Sequence, residues 1–448
     1  MDGVPGITQC SILPNKTFNY IYKTNNQTGT YWYHSHKSIQ YGDGLKGILI
    51  IQDKNDPFKT FYKNEDIFQI TDWYHKPVYI LLKEYLNLRI SEPLPDTLLF
   101  NGIGQFNCIL NKTCQFYRSF IKKNLTKRYR IINTSIYARI TLTIDKHQMK
   151  LIEMDGIYLN GNQIVETLRL NPGQRYSFLL NGNQNSSENY WIKAIIHPFI
   201  NFNHQYNISN NSFVLAILQY ENNSFLPSIN SLNNNQFIIN QSIIDGEIFS
   251  DELNLIPMNL TKYQIPKNEN IQTFIFNSKF QDNSGFIFNN QTFIHPENFT
   301  LLSLILLQEN SSKIAWPSTI QIENNQIIDI IINNIDYSSH PFHLHGHHVW
   351  ILAQGKTNDG YLNETTYKNI IYNEINPVYR DTFTVNPYSY IIFRFQTNNP
   401  GIWMLHCHND WHLQIGMAMV FIESIHLIQQ SYYQKNFTYL LSQQCKLY

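Results

Sequence analysis

The chain has 448 residues, enough for two to four domains with sizeable cores. Lysine and arginine balance aspartate and glutamate at 33 each, and charged residues reach only 15%. Nothing in that balance attracts nucleic acid or an anionic membrane surface. In chain order, residues 1–55 contain YWYHSHKSIQYGDGLKGILII. Tyr31–His36 alternates like a strand, so His34 and His36 share a face. Gly42-Asp43-Gly44 marks a turn, and Gly47–Ile51 reads as a buried strand. Two histidines on a strand face are, by themselves, equally compatible with an exposed polar surface.

Residues 60–225 alternate strands and turns, as in KRYRIIN, RITLTI and MKLIEMDGI. They hold His75, His147, His197 and His204 without close ligand spacing and read as a β-sandwich without metal. The polar stretch Asn222–Asn240 reads as a linker or surface loop. Residues 250–448 form a further β unit. Its apolar strand Ile327–Asn333 leads into HPFHLHGHH, with His340, His343 and His345 within six residues. Three imidazoles so close are costly in a core unless something binds them. His347 and His348 are read as structural. Short strands, 14% aromatics and frequent turn residues make the whole chain all-β. No apolar run reaches the roughly 18 residues of a membrane span.

The last strand, Ile402–His408, follows the turn Asn399-Pro400-Gly401. Alternation sends Cys407 to one face and His406 and His408 to the other. His412 lies five residues past the cysteine and Met417 ten past. A lone cysteine near a histidine is usually a small buried hydrophobe. Three histidines, a cysteine and a methionine within twelve residues point instead to metal. Thiolate, imidazole and weak thioether are three parts of a blue-copper site, whose second histidine must come from elsewhere. Four other cysteines remain, Cys10, Cys108, Cys114 and Cys445, with three possible pairings. Free thiols would suit the cytosol, disulfides an oxidising compartment. Sixteen Asn-x-Ser/Thr sequons, Asn26, Asn111 and Asn298 among them, permit a glycosylated, secreted protein.

Taken in order, WYHSH, HPFHLHGH and HCHNDWHLQIGM, with QYGDGLKG, NGIGQFNC, NQNSSENYW, RDTF and NNPGIW between and around them, resemble the multicopper oxidases. These are the laccases, ascorbate oxidases and yeast-type ferroxidases, and the resemblance covers essentially the whole chain. It implies three cupredoxin-like Greek-key β-sandwich or barrel domains: 1–55, partial and carrying type 3 copper ligands; 56–235, without copper; and 236–448, with type 1 and cluster ligands. Carried over by motif, His340, Cys407 and His412 would bind type 1 copper, with Met417 axial. His343 would bind type 2 copper. His34, His36, His345, His406 and His408 would bind the type 3 pair. A small reductant would give electrons singly at type 1 copper, and dioxygen would be reduced to two waters at the cluster. Asp43 and Asp410 would supply protons, Asp410 standing where relatives often carry the longer glutamate.

The resemblance further implies a secreted or lumenal protein. Cys10–Cys445 would tie the first domain to the C-terminal tail and Cys108–Cys114 would close a small loop, an upstream cysteine being the alternative partner for Cys114. Relatives carry His-x-His-Gly shortly before text like DGVPGITQC, and no signal peptide is visible. The expectation is an incomplete version of a longer protein; the alternative is a short form with six of the eight cluster histidines, acting as a non-enzymatic copper-binding or electron-transfer protein. For the reductant, Asp336 and Asp145 match ferroxidase carboxylates that bind ferrous iron, while a third acid is replaced near Asn277, with Asp282 nearby. Met417 and the NGIGQFNC text favour an ascorbate- or phenol-like donor, with Phe286 and Arg89 near the positions of substrate tryptophans. The oligomeric state is not readable from the chain.

Overall fold

The computed structural model describes residues 2–434, apart from 26, 89–91, 109–112, 197–212, 221–222, 229–251, 268–269, 282–284, 297–298 and 308–315. His197, His204, Arg89, Asp282, Cys445, the sequons Asn26, Asn111 and Asn298, and most of the polar stretch Asn222–Asn240 lie outside these residues.

Among the described residues, the strands form five sheets. Gly29–His34 and Lys46–Ile51 form an antiparallel pair, running from Gly29 opposite Ile51 to His34 opposite Lys46. The expectation of a buried strand here is corrected: Lys46–Ile51 is half-buried throughout. It pairs only with its one neighbour among the described residues, so no second strand shields it.

Two sandwiches follow, and they share a plan. In the middle one, Asn64–Trp73 runs parallel to Thr126–Asn133, and Phe213–Tyr220 runs parallel to Tyr117–Ile121. In the third, Ile271–Gln281 runs parallel to Ile327–Asn334, and Thr319–Ile322 runs parallel to Ala418–Glu423. The remaining pairings are antiparallel. Each sandwich therefore mixes long crossovers with hairpins, as a Greek key does. Ile327–Asn334 is buried at every position, which explains why five of its first six residues are isoleucine. Its one acid, Asp329, faces Arg394 on the next strand, with Nε–Oδ1 at 2.6 Å and Nη2–Oδ2 at 2.9 Å.

Helices interrupt the expected run of strands. Val78–Leu88 is α-helical. Its first amide donates to Asp43 Oδ1 at 3.0 Å, thirty-five residues back. Asp410–Gln414 is a short helix capped by Asn409, whose side chain accepts from the Trp411 amide.

The sheet groups are stitched by buried polar contacts. Arg175, from the middle sandwich, grips Asp381 of the third at 2.6 and 2.8 Å and donates through Nε to Thr30 O at 3.0 Å. Arg380 of the third sandwich reaches back to Asp155 at 2.9 Å.

Candidate metal centres

Strand register places the chemistry. His340–Leu344 pairs with Gly401–Cys407 so that Phe342 lies opposite Cys407 and His343 opposite His406. Opposed residues of an antiparallel pair share a face, and faces alternate along each strand. His340 therefore emerges with Cys407, while His343 and His345 emerge with His406 and His408.

On the first face, Cys407 Sγ lies 3.5 Å from His412 Nδ1 and 3.9 Å from His340 Nδ1. The two nitrogens are 3.0 Å apart, and all three residues are buried. Each imidazole turns Nε2 outward to a carboxylate: His340 to Asp336 Oδ2 at 3.0 Å, His412 to Glu92 Oε1. A carboxylate accepts, so Nε2 carries the proton and both Nδ1 lone pairs face the sulfur. Three electron-pair donors so arranged repel one another unless a cation or protons lie among them. Burial pushes His412 down, but Glu92 and Cys407 hold it up at about 10. Burial pushes the Cys407 thiol up, and the two histidines bring it down to about 7. The triangle of donors leaves each about 2 Å from a common centre, the usual span of metal bonds to imidazole and thiolate. The set fits copper. Met417 is fully buried beside it, its carbonyl accepting from the Cys407 amide and its amide donating to His412 O, each at 3.0 Å.

On the second face, His345 and His36 approach His406, with Nε2–Nε2 distances of 3.0 and 3.4 Å. His34 and His343 flank His408, with ring centroids 5.6 and 5.9 Å away. All six sequence-predicted cluster histidines thus converge, four from the third sandwich, His34 from the end of the first strand and His36 from the loop after it, the strand stopping two residues short of the expected Tyr31–His36. Burial drives His34 down to about 3 and His343 to about 4, and drives His36, His406 and His408 well below the ordinary value. Neutral imidazoles with inward lone pairs are the form a metal binds.

The acids divide differently from the expectation. Asp410 lines the small cavity shared with His34, His36, His406 and His408. Burial pushes its carboxyl up to about 8; Oδ1 accepts from Gln414 at 3.1 Å, and Oδ2 has no hydrogen-bond partner among the described residues. Asp43 is exposed and caps the Val78 helix instead of lining that cavity. The turn that carries it points its carboxylate at an amide in the middle sandwich. Asp2, which sequence reasoning missed, stands 2.5 Å from His345 Nδ1. Burial pushes Asp2 up, and His345 more than offsets it. Asp145 is engaged by Lys193 Nζ at 2.7 Å. Asn277 accepts from Asn333 at 2.7 Å. Phe286 packs against His340 and His412, with centroids 5.2 and 4.7 Å away, and is itself buried. His348 donates to Asp155 O at 2.9 Å, and His347 lies 3.0 Å from Glu423, both structural placements.

Glu92 is the second missed residue. Its only local signal is Glu92-Pro93-Leu94-Pro95, where the prolines hold the chain extended. Cys108–Cys114 is bridged, with Cα atoms 5.2 Å apart. Cys10 is disulfide-bonded, while its expected partner Cys445 lies outside the described residues.

A thiolate–imidazole cluster and an all-imidazole cluster, on the two faces of one strand pair, define a metal-binding protein of redox type. Models of the multicopper oxidase family match residues 1–56, 64–223 and 249–426. The chain belongs to the multicopper oxidase family. Iron transport multicopper oxidase FET3 of Saccharomyces cerevisiae is 31% identical over 450 residues, covering 97% of this chain and 66% of that protein. Laccase-5 of Trametes villosa is 31% identical over 437 residues, covering 94% of this chain and 76% of the laccase. The crystal structure of Fet3p, described as a multicopper oxidase that functions in iron import, superposes with a TM-score of 0.82 at 28% identity, covering 100% of this chain and 82% of that one. The chain spans about two thirds of the length of the iron-transport relatives it matches. Among the described residues, no helix is long and apolar enough to cross a membrane.

Proposed function

We propose that the protein is a copper-dependent ferroxidase, taking electrons singly from ferrous iron and passing them to dioxygen. The observation that carries this reading is the pair of carboxylates, Asp336 and Glu92, each bonded to the outward nitrogen of a different histidine beside Cys407. When bound, copper supplies one-electron transfer at His340, Cys407, His412 and Met417, and the reduction of dioxygen at the six-histidine cluster. The protein supplies the rest. Oxygen ligands suit a hard cation, and negative charge beside it favours the ferric product over the ferrous substrate. Each carboxylate–imidazole hydrogen bond joins that cation to a donor facing Cys407. The backbone then joins Cys407 to His406 and His408 on the opposite face. Four ferrous ions give four electrons, and one dioxygen takes these and four protons to form two waters. Asp410, whose carboxyl burial pushes up to about 8 and which lines the cluster cavity, would hold one such proton. Asp2 holds His345 from behind.

An ascorbate- or phenol-like donor is the second reading, favoured by Met417 and by the likeness to a laccase. Phe286, the aromatic residue at the first cluster, is buried and offers no open ring face. We further propose units of 1–55, 56–235 and 236–448, and an oxidising, secreted setting, which the Cys108–Cys114 bridge supports. Steady-state kinetics of Asp336→Ala and Glu92→Ala separate the donors. A raised KM for ferrous iron with organic donors spared supports the proposal; equal loss with both overturns it. Copper per chain, read with visible and paramagnetic resonance spectra, separates an oxidase from an electron carrier. About four coppers are expected for the first and about one blue copper for the second.

A further inference from the structure

We infer that the turn Asn171–Arg175 of the middle sandwich positions two of the cluster histidines, His343 and His408, without touching metal or substrate. The turn lies against Thr382–Val385, the strand paired with His340–Leu344, in which Thr382 stands opposite His343. Asn171 donates to Thr384 Oγ1 at 2.7 Å, Gln174 donates to Thr382 O at 3.2 Å, and Arg175 clasps the Asp381 carboxylate with both arms.

The segment so held carries both acceptors of His343. Nδ1 lies 2.9 Å from Asp381 O and 3.1 Å from Thr382 Oγ1. The Thr382 hydroxyl donates to Asp381 Oδ1 at 2.9 Å, so its lone pair is what it presents to the ring. Both acceptors place the proton on Nδ1 and leave Nε2 for the cluster. Arg175 fixes Asp381, and Asp381 fixes the aim of His343.

His408 is held another way. Its Nδ1 has no hydrogen-bond partner among the described residues, so packing must orient the ring. Gly173 supplies that packing. A Cβ there would stand 2.5 Å from His408 Cδ2 and 2.8 Å from Nε2. Only glycine lets the backbone come so close. One five-residue turn thus sets one ligand by hydrogen bonds and another by contact.

The consequence for oxygen chemistry rests on the copper reading above, but the test is made on the metal-free chain, so the two fail separately. Ring carbon and nitrogen signals of the histidines are compared by NMR in wild type, Arg175→Lys, Gln174→Ala and Gly173→Ala, each first shown by circular dichroism to fold. In Arg175→Lys and Gln174→Ala, His343 is expected to shift or split into two tautomers. In Gly173→Ala, His408 is expected to shift. His340 and His412 should hold their wild-type positions in all three. Folded variants in which His343 and His408 keep their wild-type signals, or in which all four histidines move together, overturn the inference. Should Gly173→Ala fail to fold, Arg175→Lys and Gln174→Ala still decide it through His343.

Discussion

The middle and third sandwiches share a plan of two sheets with two parallel crossovers, yet both metal-donor groups recognised among the described residues draw on the third and neither on the middle. The difference lies in what each does with histidine. His147 of the middle sandwich is closed off by its own neighbours, Tyr220 OH and Asp145 O, each at 2.7 Å. In the third sandwich, His340 turns Nδ1 toward His412 Nδ1, and His345 turns Nε2 toward His406 Nε2, each pair 3.0 Å apart. A buried histidine with two partners is finished; one that faces another lone-pair donor needs a cation. The middle sandwich contributes instead from its margins, with Glu92 beside one cluster and Asn171–Arg175 beside the other.

The comparison breaks most sharply at Cys407. Cys407→Ala should abolish the blue absorption while histidine-bound copper is retained, as metal analysis with optical spectra would show; retention of the blue band would refute the donor set. Next in size, Asp410→Asn should slow oxygen uptake by roughly 100-fold, the lower range for loss of a placed acid. An unchanged rate would remove Asp410 from proton supply. Smaller still is the effect of the middle sandwich on the third. Glu92→Gln should raise the KM for ferrous iron several-fold, with kcat toward organic donors close to wild type. Loss of the Asn409 cap in Asn409→Ala should cost about 1 kcal/mol in denaturant unfolding.

The smallest effect belongs to the finished histidine. Burial holds His147 below its ordinary value, so the unfolded chain binds the proton first. Its contribution is present above about pH 6.5 and is lost as the pH falls below that. His147→Gln should therefore flatten part of the fall in melting temperature between pH 7 and pH 5; an unchanged slope would show that another group controls it.

Part of the grouping was legible because strand alternation is local: Cys407 turned away from His406 and His408 follows from spacing, while the role given to each histidine followed from motif resemblance. The carboxylate partners were not legible. Glu92 meets His412 across 320 residues, and Asp2 meets His345 across 343, so no window of sequence contains either pair. Asp43 was given a proton role by resemblance, and sequence spacing says nothing of the amide thirty-five residues on that it caps. The Val78–Leu88 helix was hidden by its apolar, aromatic content, which suits a strand as well until the chain is seen to pack.

The pairing of Phe342 with Cys407 and His343 with His406 also makes the sheet its own gauge. A slip of one residue would turn the sulfur into the histidine cavity and set an imidazole in its place, because faces exchange with every single step. Soft metals would then find no thiolate beside His340. Blue colour in this protein would thus report more than bound copper: its intensity would measure how many molecules had closed two strands, with partners 61 to 65 residues apart, in step.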